Sequence, residues 1–280
     1  MSMNRATFLR LMPLGFAMGL GVQACDSAVQ SKADSSKLVL TGSSTVAPLV
    51  SEIAKRYEKE NPGVRVDVQS GGSSRGVADV RQKVADIGMV SRSLKDDEAD
   101  LKAFPIAKDG IAMIVHKDNP ITQLTEAQIL DIYKDKVNNW KQVGGKDAPI
   151  TVVNKAEGRS TLELFLKYFK LEAPDIKADV VIGDNEQGIK TVAGNPNAVG
   201  YVSIGAAEFQ VKNGGAIKLL PLNGVTASLE TVKDETFPLS RPLNLVINDT
   251  PTAAQQKFID FAQSQQIHDI VLEQYFVPLS

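Results

Sequence analysis

From residue 37 onward the chain alternates short apolar runs with stretches whose apolar residues recur every three to four positions, the alternation that builds α/β folds. Leu38-Val39-Leu40 reads as a buried strand closed by Gly42, and 48–57 as a helix carrying Leu49, Ile53 and Tyr57 on one side. A strand over 64–68 runs into Gly71-Gly72. A short helix over 76–84, a strand over 85–90, an acidic helix over 96–103 and a strongly apolar strand over 110–116 follow. The theme then repeats. The pattern predicts a helix over 125–133, opened by Thr125 and Gln128 in capping-box spacing, and a strand over 150–153. A helix over 161–169 places Leu162, Phe165, Leu166 and Phe169 on one face. Strands over 180–183 and 199–202 flank a helix over 186–193. A strand over 243–247 and helices over 253–263 and 267–274 complete the chain. Two α/β lobes fit this order.

The opening residues break the pattern. Arg5 and Arg10 are the only charges before Asp26, and the apolar stretch from Leu11 to Val22 falls short of the ~20 residues a membrane-spanning helix needs. It ends in Val22-Gln23-Ala24-Cys25, which resembles a bacterial lipobox. The expectation is a secretory signal over 1–24, lipidation of Cys25, and a polar tether over 25–36. That places the protein outside the cytoplasm on a lipid anchor, and Asp26 suits retention at an inner membrane.

Composition narrows the chemistry. Hydrophobic residues make up 43% and charged residues 23%, enough for a core and incompatible with global disorder. A net charge of −2 argues against an electrostatic nucleic-acid binder. One cysteine excludes a disulfide framework and a cysteine-built zinc site, and two histidines, His116 and His268, leave little for histidine-ligated metals. No cofactor is called for.

Three loops share one design. Gly42-Ser43-Ser44-Thr45 and Gly71-Gly72-Ser73-Ser74-Arg75-Gly76 each lie between a strand and a helix, and Gly158-Arg159-Ser160-Thr161 follows a strand and opens a helix. Glycine permits close backbone approach, a helix N-terminus offers unpaired N–H donors, and hydroxyls add further donors. Together they make an anion cradle. Any one of these loops alone reads as an ordinary helix cap. Three of them, two with an arginine inside, point to an oxyanion, and Arg159 can hold one through two N–H bonds. A fourth segment, Gly88-Met89-Val90-Ser91-Arg92-Ser93, adds Ser91 and Arg92 as donors.

These segments resemble the substrate-binding protein of the phosphate ABC transporter. The likeness runs from Leu38 to the last helices and is most specific at 42–48, 70–77, 86–94 and 155–165. The resemblance implies a type II periplasmic-binding-protein fold, with two lobes of mixed sheets flanked by helices and a ligand cleft between them. Residues 37–115 and 202–280 would form lobe 1, and 116–201 lobe 2. It also implies a monomer that binds inorganic phosphate and passes it to membrane permease subunits, with no catalysis. Carried over by position, Ser44, Thr45, Ser73 and Ser91 come from the first lobe, and Arg159, Ser160 and Thr161 from the second. Ser74, Arg75, Arg92, Lys155, Glu157 and Gly158 are supporting candidates. Relatives carry an aspartate where this chain has Ser91, and a serine repels a fully ionised sulfate less than a carboxylate does. The family arginine falls on Lys155, so Arg159 is expected to supply the guanidinium and Glu157 to orient a cation.

Rival readings rest on other residues. A binder of sulfate, molybdate or tungstate would use the same donors. Gly72-Ser73-Ser74-Arg75-Gly76 fits a hydrolase nucleophile elbow at Ser74, with His268 as the base, but leaves the other two loops unexplained. The segment 183–191 nearly matches a phosphate-binding P-loop, yet Ile189 separates Gly188 from Lys190.

Overall fold

The computed structural model describes residues 37–279; the signal over 1–24, Cys25 and the tether over 25–36 lie outside the described residues. The first apolar runs fold as β1 (Lys37–Gly42), α1 (Val46–Glu60), β2 (Arg65–Ser70), α2 (Ser73–Arg81), β3 (Ile87–Val90) and β4 (Leu101–His116). The middle of the chain gives α3 (Glu126–Tyr133), β5 (Thr151–Lys155), α4 (Ser160–Phe169), β6 (Val180–Ile182), α5 (Asn185–Ala193), β7 (Ala198–Ser203), α6 (Ile204–Lys212), β8 (Ile217–Leu219) and α7 (Leu229–Lys233). The chain ends with β9 (Ser240–Asn248), α8 (Ala253–Ala262), α9 (His268–Glu273) and β10 (Val277–Pro278).

The strands form one continuous path, β2-β1-β3-β9-β4-β7-β5-β6, with β8 and β10 also paired to β4. Short strands joined by helices pair in parallel, β1 with β2 and β3, and β5 with β6 and β7. The 16-residue β4 is the exception. Its first half pairs antiparallel with β9, and its second half pairs antiparallel with β7 and β8. Two apolar clusters gather at its two ends. Leu40, Leu49, Ile53, Ile87, Leu245 and Phe258 centre the first lobe. Tyr133, Trp140, Phe165, Tyr201 and Phe237 centre the second. The chain passes between the lobes at Ile111 and returns at Leu239, and the Ile111 N–H donates to the Leu239 carbonyl at 3.0 Å, so the two crossings are paired.

Two expectations need correction. The acidic helix over 96–103 is a single 3₁₀ turn, Asp96–Glu98, because Glu98 turns inward to a buried arginine and Leu101 onward pairs with β9. The return to the first lobe, expected at 202, comes nearly forty residues later. Residues 204–239 stay with the second lobe: β8 pairs with the far end of β4, and Leu220, Leu222, Val232, Phe237 and Leu239 join the second core. Among the described residues no helix is long and apolar enough to cross a membrane.

Candidate functional site

Hydroxyls from both lobes meet where the loops expected to form a cradle converge. Ser43 Oγ donates to Ser91 Oγ at 2.9 Å, Ser73 Oγ donates to Ser160 Oγ at 3.0 Å, and Ser91 Oγ and Ser160 Oγ are 2.5 Å apart. The Ser91 N–H donates to Ser73 Oγ at 3.1 Å. Ser43, Thr45, Ser73, Ser91, Ser160 and Thr161 are all buried. Ser43, Ser73 and Ser91 belong to the first lobe and Ser160 to the second, so the two bonds to Ser160 join the lobes.

Local sequence explains why the loops reach so far inward. Gly42 has φ +135°, and a Cβ there would lie 2.2 Å from the Met89 carbonyl, so only glycine lets the first loop pass β3. Gly72 has φ +104°, and a Cβ would lie 2.7 Å from the Gly158 carbonyl of the opposite lobe. Two helices then leave their N-termini open. Thr125, Asp184, Ser203 and Thr252 cap α3, α5, α6 and α8 with their own side chains. By contrast α2 and α4 carry no such side-chain cap, and at α1 it is the Ser43 hydroxyl that accepts from the Thr45 and Val46 amides, at 3.2 and 3.3 Å. The amides of Ser44, Ser73, Ser160 and Thr161 have no acceptor among the described residues. Unpaired donors at the N-termini of α2 and α4, and in the loop before α1, are suited to an anion.

The positive charge comes from places the loop pattern did not indicate. Arg241, at the start of β9, is fully buried and paired with the equally buried Asp109 of β4 at 2.8 Å. Its Nη1 donates to Thr161 Oγ1 at 3.1 Å and to Ser91 Oγ at 3.4 Å, and Nη2, which also holds Asp109, donates to Thr45 Oγ1 at 3.3 Å. One guanidinium thus touches hydroxyls of both lobes. Asp109 also accepts from Ser203 Oγ at 3.0 Å, which fixes the pair. Lys155, at the end of β5, is 3% exposed, and among the described residues its ammonium has Asn185 Oδ1 as its one hydrogen-bond partner, at 3.1 Å, and no carboxylate within ion-pair distance. Burial pushes its ammonium down to about 7; Asp184 resists this, while Arg241 and Arg159 add to it. Asn185 Nδ2 in turn donates to Thr45 Oγ1 at 3.1 Å.

The expected residues divide cleanly. Thr45, Ser73, Ser91, Ser160, Thr161 and Lys155 lie in or against the buried cluster. In the pair Ser43-Ser44 it is Ser43 whose hydroxyl joins the cluster, while Ser44 lines a groove at the cleft edge with Thr45 and Asn185. Arg159 is half-buried beside Gly72 and Gly183 and makes no ion pair among the described residues; the guanidinium bonded to the cluster hydroxyls is that of Arg241. Arg75 is an exposed partner of Asp79, so it adds no charge to the cradle. Arg92 is buried between Glu98 and Glu163. Glu157 is exposed and orients no cation. The Gly158 carbonyl accepts from the Ser74 N–H at 3.2 Å. Ser74 Oγ donates to Glu163, and the arrangement a nucleophile elbow needs, a serine bonded to histidine, is not formed there. Sequence reading missed Ser43, Asp109, Asn185 and Arg241. Strand parity carries the signal for Arg241, which shares a face with the fully buried Leu243, Leu245 and Ile247.

The family model described as "PBP superfamily domain" matches residues 27–266. The phosphate-binding protein PstS of Borreliella burgdorferi is 31% identical over 255 residues, covering 87% of this chain and 91% of that protein. PstS of Bacillus subtilis is 28% identical, covering 97% and 94%. Among solved structures, a Clostridium perfringens protein described as a putative phosphate ABC transporter substrate-binding protein with bound phosphate superposes with a TM-score of 0.80. It is 33% identical, covering 87% of this chain and all of that one.

Proposed function

We propose, on the premise that this chain belongs to the PBP superfamily and to the phosphate-binding proteins within it, that it captures inorganic phosphate outside the cytoplasm and delivers it to an ABC permease. The observation that carries this reading is the buried meeting of hydroxyls, open helix N-termini and Arg241 between two lobes, with Lys155 behind them. A buried ammonium with one neutral partner is costly unless an anion compensates it. Each hydrogen bond to the charged ligand contributes about 1.5–3 kcal/mol gross, offset by desolvation and closure. The protein acts as a monomer held at the membrane through a lipid on Cys25, and no bond of the ligand is made or broken.

One feature supports a second reading. Ser91 brings a hydroxyl and no carboxylate to the cluster, and the buried carboxylate there, Asp109, is committed to Arg241, Ser203 and the Gly205 amide. Nothing there repels a fully ionised tetrahedral anion, so sulfate is the competitor. Isothermal titration of the ligand-stripped protein with phosphate, sulfate and molybdate decides between them. One-to-one phosphate binding with no heat from the other two is the expected result. Tighter sulfate or molybdate binding would change the ligand, and silence with all three would refute the cradle.

A further inference from the structure

Glu163 lies in the first turn of α4, one turn beyond the cluster hydroxyls, and does not touch them. Its carboxylate is instead gripped by three groups of the other lobe. Ser74 Oγ and Lys95 Nζ donate to Oε1 at 2.9 and 3.0 Å, and Arg92 Nε donates to Oε2 at 2.5 Å. Burial works against the charge on Glu163, but Arg92 and Lys95 outweigh it and hold the carboxyl below its ordinary range.

The grip is built for reversible use. Arg92 is 4% exposed, and its remaining nitrogens hold Glu98 of its own lobe at 2.6 and 2.8 Å. Asn244 Nδ2 donates to the Arg92 carbonyl at 2.8 Å, which fixes its backbone. When the lobes part, Arg92 keeps Glu98 and stays in place, so it is never left buried and unpaired. Glu163 and Lys95, 22% and 46% exposed at their side chains, face a cavity of 450 Å³ and return readily to water. Of the side-chain contacts Arg92 makes, the one to Glu163 depends on closure and those to Glu98 do not. Among the described residues the other ion pair between the lobes, Lys108–Glu235, lies beside the crossing strands, and its carboxylate is 72% exposed. Arg92 also follows Ser91 directly, so the position of Glu163 governs how closely Ser91 approaches Ser160.

We infer that Glu163 is a positioning residue that clasps the lobes shut, and so sets how long the captured anion is held without touching it. The affinity part of this rests on the phosphate reading; the closure part does not. A contact present only in the closed state shifts the population toward it and slows release, leaving the encounter rate unchanged.

The test uses the whole protein and two variants. Glu163→Gln removes the charge, and Lys95→Glu reverses an exposed neighbour without disturbing the core. Stopped-flow release of phosphate is expected to quicken about tenfold in Glu163→Gln, with the association rate unchanged. Lys95→Glu should do the same. Added salt should speed release from the wild type and not from Glu163→Gln. Release rates within about twofold of wild type in folded variants would overturn the clasp. Small-angle scattering without ligand separates the two readings. If the wild type binds no phosphate, the phosphate reading falls, and the clasp then stands if ligand-free Glu163→Gln is more extended than wild type, and falls if the two are the same size.

Discussion

Raising the pH should weaken anion binding through Lys155, and the structure fixes both the sign and the window. In the ligand-free protein the ammonium titrates at about 7, because burial and the flanking arginines disfavour its charge. An anion about 4 Å away interacts with it by about 4 kcal/mol at an effective dielectric near 20. At about 1.4 kcal/mol per pH unit, that lifts the bound-state value by about three units, to about 10. Between those two values, binding takes up a proton that the free protein has lost. Affinity therefore falls by up to about tenfold per pH unit across the window. Folding stability moves the other way. The unfolded lysine keeps its proton to about 10.4, so the ligand-free protein gains stability as pH rises from about 7 toward that value. Phosphate itself titrates in this range, so the control is Lys155→Arg, whose charge is permanent. Calorimetry at about pH 8 in buffers of different ionisation enthalpy reads the proton uptake directly. Wild type should take up close to one proton more than Lys155→Arg, and lose about 50-fold in affinity relative to it between about pH 7 and pH 9. Equal pH slopes, or equal proton uptake, would refute the reasoning.

Other expectations follow from single contacts. Arg241→Met strands Asp109 in the core and should cost about 3–5 kcal/mol in denaturant unfolding. Adding Asp109→Asn should recover most of the stability while anion binding stays lost. Ser91→Asp places a carboxylate against Ser43 and Ser160, and competition calorimetry should show selection for protonated phosphate over sulfate rising by about tenfold or more. Gly42→Ala drives a Cβ to 2.2 Å from the Met89 carbonyl at a φ of +135°, and thermal unfolding should show a loss of about 3 kcal/mol or more. A wild-type-like Tm would mean the first loop can move away from β3.

Most elements were legible because burial of one face leaves a period in the sequence. The helix over 161–169 shows it plainly: Leu162, Phe165 and Phe169 are all buried, and the observed α4 differs by one residue at its start. The stretch at 96–103 failed for a physical reason. Its acidic residues resemble a first helical turn, but Leu101 and Phe104 serve a strand partner, β9, that lies far along the chain. The site divides the same way. Thr45, Ser73, Ser160 and Thr161 announce themselves because turn glycines and hydroxyls are local signals. Arg241 and Asp109 are more than a hundred residues apart and meet only through the register of β4 with β9, where Asp109 faces Arg241. Pairing of that kind leaves at most a charge on the apolar face of a strand. The boundary at 202 was misplaced because β8 and α7 are short, with too few turns to show a period.

The placement of Arg241 on the paired crossing strands has a mechanical consequence. A group on the axle of a hinge keeps its position at every opening angle, while groups on the leaves sweep through an arc. The guanidinium is therefore the same moored post in the open protein as in the shut one, and the hydroxyls of the two lobes swing toward it. Capture begins with an anion tied to that post, and wrapping comes second. Unloading then has a definite physical requirement: a receiving membrane protein gains nothing by pulling at the mooring and must pry the leaves apart, after which one buried ion pair alone competes with water for the cargo.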